Sequence, residues 1–115
     1  MTNPNCPFCR IAAGVEPAEI VYEDDDLLAF RDRNPVAPTH ILLIPRQHIE
    51  NVRDAETKHT ALLGMLLLKA AEVAGQEGLR SGFRLVTNTG SQAGQSVYHL
   101  HVHLLGGRRM SWPPG

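Results

Sequence analysis

An α+β fold is what this sequence predicts: a five-stranded, mainly antiparallel sheet carrying one long and one short helix. Three observations lead there. Apolar runs of strand length recur along the chain, separated mostly by breaks of turn length. Only one stretch, Ala55 to Gln76, sustains apolar residues at helical spacing for long enough to form a long helix. Residues 99 to 103 read His-Leu-His-Val-His, an alternation of period two that marks a half-buried strand. Strands joined by short turns pair antiparallel, and helices then cover the faces of the sheet. At 115 residues the chain has the length of a single domain, residues 1–115.

In chain order, Phe8 to Ala13 can form a short helix, ended by Gly14 and Pro17. Ile20–Tyr22 and Leu27–Phe30 read as a hairpin across the acidic turn Glu23-Asp24-Asp25-Asp26. Consecutive carboxylates on a turn diverge, so that run is a solvated turn and not a metal site. Asn34, Pro35 and Pro38 break the chain before a third strand, His40 to Ile44, which Pro45 stops. Asp54 is the expected N-cap of the long helix, which ends before Gly78. Leu62, Leu63, Met65, Leu66, Leu67, Leu68, Ala70, Ala71, Val73 and Ala74 cover most of its circumference. A helix apolar on nearly all sides is buried on nearly all sides. One side can cover the sheet; the other needs a second copy, so a homodimer through this helix is expected. Phe83–Thr87 is a fourth strand, and Val97–Leu105 a fifth after the loop Asn88 to Ser96. The tail Gly106 to Gly115 ends Trp-Pro-Pro-Gly and cannot be helical. His59 is expected on the helix, facing solvent.

A net charge of −1, with 43% hydrophobic and 20% charged residues, describes an ordinary globular chain. It supplies no basic field, which argues against nucleic acid as the main partner. A local phosphate site remains open, because backbone amides can build one without net charge. The polar start, Met1 to Asn5, has no signal-peptide core, and Ala61–Ala74 is shorter than the ~18 residues of a membrane span and holds Lys69 and Glu72. A cytoplasmic protein without membrane attachment is therefore expected. The two cysteines, Cys6 and Cys9, are too few for a disulfide framework.

On a strand, His99, His101 and His103 would point to one face while Leu100, Val102 and Leu104 point into the core. Neighbours at i and i+2 lie about 7 Å apart at Cα, but the outer pair lies about 13 Å apart. Zn–N bonds of about 2.1 Å cannot gather all three from one straight strand. At least one histidine is left for other work. The loop before them holds Gly90 and Gly94, which permit close backbone approach, with Gln95 and Ser96 as polar donors beside the strand. Exposed amides beside aligned imidazoles make a phosphate cradle.

The run Gly94-Gln95-Ser96-Val97-Tyr98-His99-Leu100-His101-Val102-His103-Leu104-Leu105 resembles the signature of the histidine triad superfamily. Ala37-Pro38-Thr39-His40, Ile44-Pro45 with His48 following, Val86-Thr87-Asn88 and the terminal Trp112-Pro113-Pro114-Gly115 resemble its Hint branch. The likeness spans essentially the whole chain. It implies a HIT-like fold and a homodimeric nucleotide-binding hydrolase that cleaves purine nucleoside phosphoramidates and related adenylates, releasing a nucleoside monophosphate. It implies His101 as nucleophile, through a nucleotidyl-histidine intermediate, with His103, His40 and Ser96 assisting. Phe8, Ile11 and Phe30 would line a slot for the purine, and Asp32 would take the ribose hydroxyls. Asn88, Gly94, Gln95, Ser96 and Val97 would surround the phosphate with His101 and His103. Arg31 and Arg33 flank Asp32 where a neutral or apolar residue is more usual, which bears on base or leaving-group preference.

Cys6-Pro7-Phe8-Cys9 follows no strand, so a thioredoxin-type redox role is disfavoured. Bacterial members of the superfamily carry such a motif, and the resemblance implies a structural zinc on Cys6, Cys9, His48 and His99. No organic cofactor is expected. Two other functions compete. A dinucleoside polyphosphate hydrolase belongs to a branch without the Trp-Pro-Pro-Gly tail, so Trp112 to Gly115 argues against it. A non-catalytic nucleotide-binding module would not need the intact triad with Ser96 and Gln95. The extended tail is expected to reach the partner's active site.

Overall fold

The computed structural model describes residues 3–115. Helix α1 spans Pro7–Ala12, with Pro7 in its first turn and the Cys6 sulfur accepting the Cys9 N–H at 3.3 Å as its cap. Strands β1 (Ile20–Glu23) and β2 (Leu27–Arg31) form the expected hairpin. Its acidic turn is ordered by Asp24, whose carboxylate accepts the N–H groups of Asp26 and Leu27. Strand β3 (Thr39–Pro45), helix α2 (Thr60–Gln76), β4 (Phe83–Val86) and β5 (Val102–Gly106) complete the chain. The five strands run in the order β1-β2-β3-β5-β4, every neighbour antiparallel.

The sheet is covered on both faces, which is why its central strands read as continuous apolar runs. Leu27 and Ala29 of β2, Ile41 and Leu43 of β3, and Val102 and Leu104 of β5 pack with Leu66, Ala70, Val73 and Ala74 of α2. Alternate residues Leu28, Phe30, Leu42 and Ile44 pack with Cys6, Phe8, Cys9 and Ile11 of the α1 region. Period two within a strand thus sorts one sequence into two cores. In the single chain α2 buries one stripe and leaves Met65, Leu67 and Leu68 exposed, Leu68 at 68%. Arg31, at the end of β2, holds Glu77 past the end of α2 through two parallel bonds of 2.9 Å and also reaches Glu19.

Three expectations are corrected. The long helix begins at Thr60, and Asp54 lies instead in a separate 3-10 turn, Val52–Asp54, capped by Asn51. His59 is buried in a second 3-10 turn, Thr57–His59, its Nδ1 accepting the Glu56 N–H at 2.9 Å. Capping this turn draws the ring in from solvent. The fifth strand is shorter than Val97–Leu105: pairing begins only at Val102. Before it, Leu100 donates its N–H to the Ile49 carbonyl at 2.6 Å, outside the ladder, yet Leu100 still faces the α2 core with Val102 and Leu104. The inward alternation is therefore right while the ladder is not. No helix among the described residues is long and apolar enough to cross a membrane.

Candidate functional site

The segment leading into β5 feeds two places at once. His99 is fully buried, and its Nε2 donates to the Pro45 carbonyl at 2.7 Å. In the neutral ring this leaves a lone pair on Nδ1. That nitrogen lies 3.3 Å from Cys6 Sγ, 3.5 Å from Cys9 Sγ and 3.3 Å from His48 Nδ1, and Cys9 Sγ lies 3.4 Å from His48 Nδ1. The four donor atoms all fall within 4.8 Å of one another. A tetrahedral metal with bonds of about 2.0–2.3 Å separates its ligand atoms by about 3.3–3.8 Å, so the spacing fits. The N-cap geometry of Cys6 points both sulfurs of the C-x-x-C turn toward that spot. Burial raises the Cys6 thiol, an effect that a bound cation reverses. Burial, reinforced by His48 and His101, pushes the His99 imidazole down to about 4 despite its bond to Pro45, so the ring is neutral as a ligand must be.

His101 is set the other way round. Its Nδ1 donates to the His99 carbonyl at 2.7 Å, which leaves the lone pair on Nε2. The ring borders a cleft of about 800 Å³, lined by Phe8, Ile11, Phe30, Asp32, Ser96, Val97, His101 and His103 among others. Phe8 meets the His101 ring edge to face at 5.1 Å and Phe30 at 5.4 Å, forming an apolar wall. Burial lowers His101, so it stands as a neutral base at neutral pH.

His103 and His40 form a third arrangement. The Val36 N–H donates to His40 Nδ1 at 3.1 Å, so the neutral His40 ring carries its proton on Nε2. That N–H faces His103 Nδ1 at 2.9 Å, and the Asp32 carboxylate lies 3.3 Å from the same nitrogen. His103 therefore accepts on Nδ1 and carries its own proton on Nε2, the nitrogen left for the cleft. Asp32, His40 and His103 also lie within 4.8 Å of one another, as metal ligands would. A protonated His40 Nε2 cannot ligate, and the Val36 amide keeps it protonated, so this cluster is a hydrogen-bond chain. Burial, with His101 and His40 nearby, holds His103 down to about 4, and burial also lowers His40.

Eight of the sequence-predicted nucleotide residues thus line one cleft. Asn88, Gly94 and Gln95 do not, nor does His40, expected to assist catalysis. Gly94, at φ +92°, closes the Ser91–Ala93 turn, a backbone shape that favours glycine. The Gln95 side chain is turned into the scaffold. Its Oε1 accepts from Gly90 N at 2.9 Å and Asn51 Nδ2 at 3.2 Å; its Nε2 donates to Glu50 O at 2.7 Å and Val97 O at 3.1 Å. Its backbone N–H is held by Gly90 O. With its side-chain amide and its N–H occupied, Gln95 shapes the loop that presents Ser96 and Val97. Arg31 is engaged by Glu77 and Glu19, whereas Arg33 lines the cleft, exposed and without an acidic partner among the described residues. A second cavity, about 660 Å³ beside Arg80, Arg84, Arg108 and Arg109, holds none of the predicted residues.

Residues missed from sequence act mostly through the main chain: the Val36 N–H and the Pro45 and His99 carbonyls set three ring tautomers. A backbone group leaves no residue-type signal. Asn51, buried and holding Gln95, left only a generic cap signal.

The HIT domain model matches residues 13–110. A 14 kDa zinc-binding protein of Zea mays is 56% identical over 110 residues, covering 94% of this chain and 86% of that protein. The adenylylsulfatase HINT1 of Arabidopsis thaliana is 54% identical over 110 residues, 94% of this chain and 75% of that protein. The crystal structure of a HIT family hydrolase from Legionella pneumophila superposes with a TM-score of 0.95 at 53% identity, covering 96% of this chain and 100% of that one.

Proposed function

The chain belongs to the HIT domain family, and from that premise we propose that it hydrolyses purine nucleoside phosphoramidates and related adenylates through a nucleotidyl intermediate on His101. The observation that carries this reading is the 2.7 Å bond from His101 Nδ1 to the His99 carbonyl, which reserves Nε2 for the cleft. A neutral imidazole with one nitrogen tied and the other open is a nucleophile at neutral pH.

The chemistry proceeds in two displacements. His101 Nε2 forms a bond to phosphorus as the P–N bond to the amine breaks, and the amine takes up a proton as it leaves. Water then cleaves the P–N bond to His101, gives back one proton and yields the nucleoside monophosphate. Ser96 and the Nε2–H of His103 supply hydrogen bonds to the phosphoryl oxygens, each well-placed donor contributing about 3 kcal/mol. Phe8, Ile11 and Phe30 hold the purine, and Asp32 accepts from the ribose hydroxyls. Adenylyl sulfate fits the same scheme with sulfate in place of the amine, and the name of the Arabidopsis relative supports including it.

Cys6, Cys9, His48 and His99 hold zinc in this reading, supported by the ligand spacing and by the name of the maize relative. The metal would tie the N-terminal segment to the sheet and take no part in the displacement. The exposed Met65, Leu67 and Leu68 of α2 support a homodimer through that helix; a monomeric mass in sedimentation would exclude it. The test of the activity is turnover of adenosine and guanosine phosphoramidates by the native chain and by His101→Asn. Equal rates for the two proteins would overturn the assignment of the nucleophile.

A further inference from the structure

Asp32 is placed where two demands meet. Its Oδ1 accepts the Asn34 N–H at 2.8 Å, which fixes the carboxylate at the end of β2. Its Oδ2 lies 3.3 Å from His40 Nε2, while the carboxylate also borders the cleft with one-fifth of its side chain exposed. The single proton on His40 Nε2 is given to His103 Nδ1 at 2.9 Å, and the Asp32 carboxylate stands 3.3 Å from the same nitrogen as a neighbouring charge. The negative charge of Asp32 beside that nitrogen holds the proton toward His40, and the bond given to His103 is weaker for it. A less polarised His103 is in turn a weaker donor from its own Nε2–H, because hydrogen bonds in a chain strengthen one another.

We propose that Asp32 is a positioning residue through which the ribose hydroxyls of the substrate switch His103 into its strongest donor state. The inference rests on the nucleotide reading above. When two hydroxyls donate into the carboxylate, its negative charge is shared with them and its pull on His40 falls. His40 then gives its proton more strongly to His103, and the His103 donor strengthens only when a ribonucleoside is seated. Recognition of the sugar thereby becomes part of the rate and not only of the affinity, and the preferred substrate class is the ribonucleotide over its deoxy counterpart. A carboxylate that merely binds the sugar equally in ground and transition states would change KM and leave kcat alone. That difference makes the two roles separable.

The test pairs kinetics with a direct view of the rings. Adenosine 5′-phosphoramidate and its 2′,3′-dideoxy analogue are turned over by the native chain and by Asp32→Ala. The native chain is expected to lose roughly tenfold in kcat on the dideoxy substrate, less than the hundredfold or more for removing a donor outright. In Asp32→Ala the two substrates should converge on one kcat, with KM raised for the ribose form. A native chain whose whole dideoxy penalty falls in KM overturns the inference and leaves the phosphoramidate reading standing. A native chain that turns over neither substrate removes both. Nitrogen-15 spectra of the imidazoles add a readout that needs no turnover. His40 and His103 should both appear with the proton on Nε2, and AMP should shift both rings more than 2′,3′-dideoxy-AMP does. A proton found on His40 Nδ1, or equal shifts from the two ligands, would break the chain of argument at its first link.

Discussion

His99 and His101 stand two residues apart in one chain segment, both buried and both lowered by burial, yet they present opposite nitrogens. His99 gives its Nε2–H to the Pro45 carbonyl and turns Nδ1 toward two sulfurs and His48. His101 gives its Nδ1–H to the His99 carbonyl and turns Nε2 toward the cleft. The ring is the same; the main-chain carbonyl that captures one nitrogen decides what the other can do. A histidine thus becomes a candidate ligand or a candidate nucleophile without any change in residue type.

The largest effect that can break this comparison is at His101. His101→Asn is expected to lower kcat/KM for adenosine phosphoramidate by at least ~10⁴-fold, the scale of losing a nucleophile. The melting temperature and bound metal should stay near native values. Loss of the metal in that variant would mean the two ends of the segment are one site. The complementary change is Cys9→Ser. It should release the metal and cost about 4 kcal/mol of stability, as losing a structural ligand set does, while activity per folded molecule persists. Metal analysis beside a denaturation curve and an assay below the melting point decides this. Activity that vanishes with the metal while the chain stays folded would join what the tautomers separate.

The sheet and its two faces were readable because period two is written in the residues of β2 and β3. The Cys6, Cys9, His48 and His99 set was readable only through resemblance, since His48 and His99 lie 51 positions apart and spacing alone could not pair them. The start of β5 and the place of His59 were not readable. Both depend on single hydrogen bonds, from the Leu100 N–H to the Ile49 carbonyl and from the Glu56 N–H to the His59 ring, that compete with a ladder and a helix without changing the apolar pattern. Gln95 has the residue type of a phosphate donor. Its four bonds to the scaffold reach partners from Glu50 to Val97, which no local pattern records.

Gln95 supplies the next, smaller test. Gln95→Leu leaves the Gly90 N–H, the Asn51 amide and the Glu50 and Val97 carbonyls without their partner, a loss of about 2 kcal/mol for a loop that can partly rehydrate. Both the melting temperature and kcat should fall, whereas KM for the nucleoside should hold, because the side chain touches the loop and not the cleft. If KM rises and kcat does not, Gln95 contacts substrate and its bonds to the scaffold break on binding.

The mildest test is acid, and its sign follows from His103. An imidazole in the unfolded chain takes up a proton near 6.5, while His103 in the fold does so only at about 4. Between those values the unfolded chain binds more protons, so the stability that this neutral ring contributes is fully present above about 6.5 and is lost as pH falls toward 4. His101 and His40 are lowered in the same direction, chiefly by burial. The acid limb of kcat/KM should accordingly fall below 6.5. A limb centred near 6.5 would mean that at least one of these rings is exposed to water in solution. The cleft would then be open enough for solvent to compete with the backbone groups that fix each tautomer, and the contrast between His99 and His101 would lose its physical basis.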